Sequence, residues 1–231
     1  MTVLLAIDSS TDSLAIALTG PGETRLFEGS GGPKASAQVV PECLRLLGEA
    51  GLTLADVDAI AFGRGPGAFT GLRTACSVAQ GLALGASKPV LPLDSLMLVA
   101  EDARLHAGEI DSPLWVAMDA RMDEIYAAQY RFEQGRWRAL REPALYAADA
   151  LVECWGRPAA VAGSALRVFP QLGEIARTWS EEASRARALA SLAQQAYALD
   201  SLLDAAQAQP LYVRDKVALT TAERMAIGAK A

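Results

Sequence analysis

The chain begins with an apolar run at residues 3–7, the polar string Asp8-Ser9-Ser10-Thr11-Asp12-Ser13, and a second apolar run at 14–18. Two apolar runs of strand length around a polar turn predict a hairpin. Gly20-Pro21-Gly22 supplies the next turn and residues 24–28 a third strand. From there the periodicity changes. Residues 35–51 carry Val39, Val40, Leu44 and Leu47 at helical spacing, with Leu46 widening the stripe. A short apolar run at 57–62 predicts a buried strand, and residues 72–84 a helix with Ala75, Ala79, Leu82 and Ala83 on a small-residue face. Residues 89–93 predict another strand, after which Asp94-Ser95 caps a helix reaching about His106.

Residues 108–113 form a polar linker and the candidate boundary between two domains. Beyond it the opening pattern returns. Leu5-Ala6-Ile7-Asp8 aligns with Val116-Ala117-Met118-Asp119; Asp12 then meets Asp123, Leu14 meets Ile125 and Ala17 meets Ala128, all at an offset of 111. That offset is close to half the chain, which predicts a duplicated lobe. The second half continues with a strand at 136–141, a helix at 147–155, a strand at 159–162 and a helix at 185–203 striped by Leu189, Leu192, Ala196 and Leu199. The extended string PLYVRDKV occupies 210–217. Antiparallel strands followed by strand–helix alternation predict mixed sheets and an α/β class.

Composition narrows the chemistry. The 231 residues are 52% hydrophobic, with no apolar run of membrane-spanning length and no basic stretch before Asp8, so the expectation is a soluble cytoplasmic protein. A net charge of −6 makes a poor stand-alone binder of nucleic acid, and work on RNA would need a more basic partner. Cys43, Cys76 and Cys154 are too far apart for a CxxC motif. The single histidine, His106, cannot build HExxH or HxxxH, and nothing near it suggests a nucleophile, so a histidine-based metal site and serine–histidine catalysis are not expected.

Two features remain suggestive. The first is FGRGPGAFTGLRTACSVAQGLALG at 62–85, a strand, a glycine loop and a helix for which Thr70 is the expected N-cap. It matches neither GxxxxGK[ST] nor GxGxxG. Gly65 and Gly67 either let backbone approach a phosphate or another chain, or simply supply turn conformations that other residues cannot reach. The second is the set Asp8, Asp12, Asp119 and Asp123 on the two repeated hairpins. Facing hairpins of this kind can grip the phosphates of a magnesium nucleotide; the alternative is aspartates that cap their own turns. Ser9-Ser10-Thr11 and Ala120-Arg121-Met122 stand where glycines would wrap a phosphate, which argues for weakened nucleotide binding, and Arg121 is expected to pair with Asp119 or Asp123 at the surface.

Taken in order, AIDSSTDSLAIAL, AFGRGPGAFTGLRTACSVAQGLALG, LDSLMLVA, VAMDARMDEIYAAQY and PLYVRDKVA resemble the TsaB (YeaZ) family over nearly the whole chain, most specifically in GRGPGAFTGLR and the helix after it. The resemblance implies a two-lobed fold of the actin, sugar-kinase and Hsp70-like (ASKHA) kind, each lobe a mixed sheet flanked by helices. The lobes expected are 1–107 and 108–207, with 208–231 packing back on the first. It further implies a non-catalytic subunit without a cofactor, paired with a metal-holding TsaD-like partner that transfers threonylcarbamoyl to the adenosine next to the tRNA anticodon. A TsaE-like ATPase joins them, tRNA is met through the complex, and a homodimer forms when TsaD is absent. The partner surface implied is Val39, Val40, Leu44 and Leu47 on one helix and Leu72, Ala75, Ala79 and Leu82 on the next. One departure is Lys34-Ala35-Ser36-Ala37-Gln38 where many relatives carry a His-Ser or His-Thr pair. The paired aspartates keep an alternative open, a small-molecule phosphotransferase of the sugar-kinase kind, whereas one histidine nearly excludes a metallopeptidase.

Overall fold

The computed structural model describes residues 2–32, 35–108 and 110–214. The first lobe holds strands β1 (Leu4–Asp8), β2 (Ser13–Thr19), β3 (Arg25–Ser30), β4 (Ala59–Gly65) and β5 (Val90–Asp94), with helices α1 (Ala35–Glu49), α2 (Phe69–Ala86) and α3 (Ser95–Ala107). The second holds β6 (Leu114–Asp119), β7 (Glu124–Glu133), β8 (Arg136–Ala147), α4 (Ala148–Trp155), β9 (Ala160–Ala162), α5 (Ala165–Val168) and β10 (Arg177–Trp179), followed by α6 (Arg185–Ala198).

The duplication is present in the topology. One sheet runs β3-β2-β1-β4-β5 and the other, read from its far edge, β8-β7-β6-β9-β10. In each, the first strand pairs antiparallel with the second and parallel with the fourth, and the fourth runs parallel to the fifth. Asp8 and Asp119 end the equivalent strands β1 and β6. The α/β, two-lobed ASKHA reading of the sequence therefore describes this chain.

Both faces of the first sheet are covered. Leu5, Ile7, Leu14, Ile16, Ile60 and Phe62 form a core with Val39, Cys43, Leu46 and Leu47 of α1 and Ala75, Ala79 and Ala83 of α2. On the other face, Leu4, Ala6, Ala15 and Leu91 share one core with Leu98 and Val99 of α3, Leu189 and Ala193 of α6, and Val116 and Tyr130 of the second sheet. That core is continuous through both lobes. Polar ties cross it as well. Tyr130 donates its hydroxyl to Asp94 at 2.5 Å, and Trp137 donates its indole N–H to Glu101 at 2.7 Å.

Several boundaries differ from the sequence reading for local reasons. Thr70 lies inside α2 rather than capping it; the N-cap is Ala68, which donates its N–H to the Ser10 carbonyl at 2.7 Å, so the hairpin tip fixes where the helix starts. Helix α6 stops at Ala198 instead of 203 because Asp200 adopts a left-handed φ of 55° and Ser201 N–H turns back to the Ala196 carbonyl. The three-residue β10 has no apolar run to announce it. The expected division, with 108–207 in the second lobe, is also corrected. Helix α6 lies on β1, β2, β3 and β5 beside α3, so the chain rejoins the first lobe at Arg185. Ala205 and Ala208 are buried in the α1/α2 core. Residues 211–214 then lie between the lobes; the remainder of the 208–231 segment is outside the described residues.

Candidate functional site

The ends of β1 and β6 face each other across an interlobe cleft. Asp8 is fully buried, and its Oδ1 accepts a hydrogen bond from Arg185 Nε at 2.7 Å, from Ser10 Oγ at 3.0 Å and from Ser10 N–H at 3.2 Å. Its Oδ2 accepts from Ser95 Oγ at 3.2 Å. Arg185 is 4% exposed and fully engaged, donating further to Ser10 Oγ at 2.8 Å, to the Ser95 carbonyl at 3.2 Å and to Glu182 at 2.6 Å. Burial pulls its guanidinium pKa down, but the charges of Asp8 and Glu182 more than reverse that, so Arg185 stays protonated at any working pH. Asp8 Oδ1, a candidate ligand oxygen on the sequence reading, is thus taken by the chain's own cation.

The hairpin tips are joined in the same way. Arg121 donates from Nη2 to Asp12 at 2.8 Å and from Nη1 to Asp119 at 3.1 Å, and its N–H is taken by Asp119 at 2.8 Å. Asp119 therefore caps its own turn, and Arg121 pairs with Asp119 and Asp12 rather than with Asp123. The turn is unusual: Arg121, Met122 and Asp123 have φ of 62°, 57° and 58°, three successive left-handed residues without a glycine.

The glycine loop serves packing. A methyl on Gly63 would overlap the Asp8 carboxylate, one on Gly67 the Ser10 carbonyl, and one on Gly71 the Ser9 carbonyl. Gly65, at φ +118°, would carry its Cβ 2.7 Å from the Leu211 carbonyl. Gly65, Gly67 and Gly71 thus admit the chain's own backbone and Gly63 the Asp8 side chain, and Ser9 Oγ donates to the Gly71 carbonyl at 2.8 Å. What remains open is a cleft of about 340 Å³ bordered by Ser10, Gly67, Asp119, Tyr126, Ser164 and Arg167.

Sequence reasoning missed two parts of this site. Arg185 stands at the start of α6 behind the cap Ser184, one arginine among many, and only the fold turns it toward Asp8. Of the string at 210–217, residues 210–214 are described and form no helix, and 211–214 lie at the cleft, a placement with no local signal; the rest of the string is outside the described residues. Among the other candidates, His106 is exposed at the end of α3, and burial pushes the Cys43 thiol up to about 12, which leaves it inert.

The expected partner surface also needs correction. Val39, Leu47, Leu72, Ala75 and Ala79 are at most 2% exposed, beneath their helices. Val40 and Leu82 are half-buried, and Leu44 alone of the set is openly exposed, at 49%. The stripe at helical spacing is what fastens α1 and α2 to their own sheet, so reading it selected the inner face. The outer face carries Ala37, Pro41, Leu44 and Gly48 on α1 and Thr70, Ser77, Gly81, Leu84 and Gly85 on α2, all exposed.

Comparison with known proteins agrees with this architecture. Residues 33–219 match the family described as TsaD, tRNA N6-adenosine threonylcarbamoyltransferase. The tRNA threonylcarbamoyladenosine biosynthesis protein TsaB of Haemophilus influenzae is 34% identical, over 93% of this chain and 94% of its own. TsaB of Escherichia coli is 30% identical, over 93% and 96%. The solved structure of YeaZ from Pseudomonas aeruginosa superposes with a TM-score of 0.80 at 33% identity, covering 92% of this chain and all of that one. A second Pseudomonas aeruginosa structure, of an uncharacterized protein similar to peptidase YeaZ, gives 0.84 at 36% over 93%. With this fold and relatives matched nearly end to end, the chain belongs to the tRNA threonylcarbamoyltransferase family, on its TsaB (YeaZ) branch.

Proposed function

We propose that this chain is a non-catalytic subunit required for threonylcarbamoyl transfer to the adenosine next to the anticodon of tRNA. The observation that carries the reading is the Asp8–Arg185 pair: the carboxylate that was the sequence's candidate for gripping a metal-bound phosphate is taken by a buried arginine. The residues present do not fit a metal. The single histidine is exposed, and among the described residues no group of three His, Cys, Asp or Glu side chains is arranged to ligate one. Chemistry then falls to a TsaD-like partner that this chain joins as a heterodimer, with a TsaE-like ATPase acting on the pair. Its net charge of −6 supports meeting tRNA through that complex rather than alone.

The surface we assign to the partner is the outer face of α1 and α2. A methyl added at Gly48, Gly81 or Gly85 would meet nothing within 4 Å, so this face is smooth enough for close approach of another helix pair. The same face would pair two copies as a homodimer when TsaD is absent. No helix among the described residues is long and apolar enough to cross a membrane, in keeping with a cytoplasmic complex.

The test is nucleoside mass spectrometry on tRNA from cells depleted of this protein, with and without a rescuing copy. The reading expects threonylcarbamoyladenosine to vanish and return; unchanged modification overturns it. The paired hairpins of the two sheets favour the phosphotransferase alternative, which expects ATP turnover with a small alcohol by the isolated chain. Absence of turnover removes that alternative.

A further inference from the structure

Residues 211–214 cross the cleft and touch both lobes. Leu211 donates its N–H to the Arg64 carbonyl at 2.6 Å, and its own carbonyl rests against Gly65, where any larger residue would collide. The Tyr212 ring lies 5.3 Å from that of Phe69, and its hydroxyl accepts from Arg73 Nε at 2.9 Å. Arg73 in turn sits 3.8 Å over the Phe69 ring. Val213 is partly buried against the core shared by the lobes. On the far side, Arg214 donates to Glu124 at 2.6 Å and to the Arg121 carbonyl at 3.1 Å, and lies 5.8 Å from the Tyr126 ring.

We propose that the interlobe cleft is a peptide groove, and that its resident ligand is this chain's own Leu-Tyr-Val-Arg segment. Each residue of the segment meets a partner suited to it: a backbone acceptor and a glycine for Leu211, an aromatic ring under a guanidinium for Tyr212, apolar core for Val213, a carboxylate and a carbonyl for Arg214. The four contacts are divided between the lobes. Seating the segment therefore fastens the hairpin turn at 121–123 to the first lobe, beside the Arg121–Asp12 pair. The glycine loop, for which the sequence left open either close backbone approach or simple turn geometry, meets this segment at Gly65. Groove and occupant both belong to this chain, whatever partner subunit it meets.

Tethering keeps the segment at millimolar effective concentration, so a free peptide competes only when the resident is weakened. The experiment uses the full chain and its Tyr212→Ala/Arg214→Ala variant, with a fluorescein-labelled peptide spanning residues 208–217 as probe. Fluorescence anisotropy is expected to show the peptide binding the variant at least tenfold more tightly than the parent, and the same two replacements in the peptide should abolish binding. Equal binding to both chains, or binding to neither, overturns the proposal. Arg214→Ala alone supplies a second reading by hydrogen–deuterium exchange. The amides of Ala120 and Glu124, bonded within the turn, should exchange about tenfold faster, while Leu211 N–H is protected in the parent. A Leu211 amide exchanging at the free-peptide rate in the parent would also overturn it.

Discussion

Arg185 and Asp8 are 177 residues apart in sequence, yet they form a 2.7 Å ion pair with both side chains almost wholly withdrawn from water. Such a pair contributes little net stability beside an apolar replacement, but losing one partner strands the other charge. Arg185→Met is therefore expected to destabilise the fold by roughly 3–5 kcal/mol. Adding Asp8→Asn should restore more than half of that, since the fully buried charge is then removed and Glu182, the other partner of Arg185, reaches solvent. Urea unfolding of the two single variants and the double variant gives the coupling directly. Additive losses would show that the pair does not act as a unit.

Glu101 sets a pH dependence whose sign can be worked out. Burial raises its pKa, but hydrogen bonds from Arg104, Ser191 and Trp137, with the charge of Arg104, outweigh burial and hold it below the usual carboxylate range. A depressed folded pKa gives stability that is fully present above the unfolded value, about pH 4.3, and lost as pH falls through the folded one. Asp94 has the opposite sign: burial raises it, so its contribution improves as pH falls through its raised value. The effect of Glu101 is best isolated as a difference. Glu101→Gln should cost about 3 kcal/mol at pH 7, and the gap to the parent should narrow below about pH 4.3. A gap constant with pH would remove the charge from the explanation.

The duplicated lobe was legible because aspartates closing two equivalent strands recur at a fixed offset, and an apolar run ending in a polar turn carries its own signal. Ser95 and Asp94 likewise announce α3, where Asp94 accepts from the N–H groups of Leu96 and Met97. Arg185 and Leu211 were not legible in their roles. Nothing local marks an arginine that will be buried against Asp8, or a backbone that will lie on Gly65; both relationships exist only after α6 returns to the first sheet. The helix faces failed differently. An apolar stripe records burial without saying against what, and in α1 and α2 it records the chain's own sheet.

The inner and outer faces of α1 and α2 give a direct test of the partner surface. Gly81 and Leu44 are exposed, whereas Ala79 is buried in the lobe core. Gly81→Arg or Leu44→Arg should leave the melting temperature within a few degrees of the parent. Each should weaken capture of a TsaD-like partner at least a hundredfold, because an arginine there must be desolvated on docking. Ala79→Arg should instead unfold the lobe, so its failure to bind would carry no information about the surface. Pull-down beside a thermal melt separates the cases. Full binding by both Gly81→Arg and Leu44→Arg would remove this face from the interface.

Gly71 and Gly81 lie on one helix, and their alanine variants should move stability in opposite directions. At Gly71 the added methyl meets the Ser9 carbonyl, on the hairpin that Ser9 Oγ ties to Gly71 itself at 2.8 Å. Backbone cannot retreat there without disturbing the buried turn that positions Asp8, so Gly71→Ala should cost about 3 kcal/mol. At Gly81 the methyl meets nothing within 4 Å, and the change gains helix propensity and removes unfolded-chain entropy. Gly81→Ala should therefore stabilise by about 0.5–1 kcal/mol. A glycine kept on an open helix face against that gain is what a surface used for close helix approach would require, so the stabilised variant should also bind its partner less well. Measured together, urea midpoints and partner affinity distinguish a glycine held for packing within the chain from one held for packing between chains; a Gly81→Ala variant that is stabler and binds as the parent does would leave Gly81 without a role at the interface.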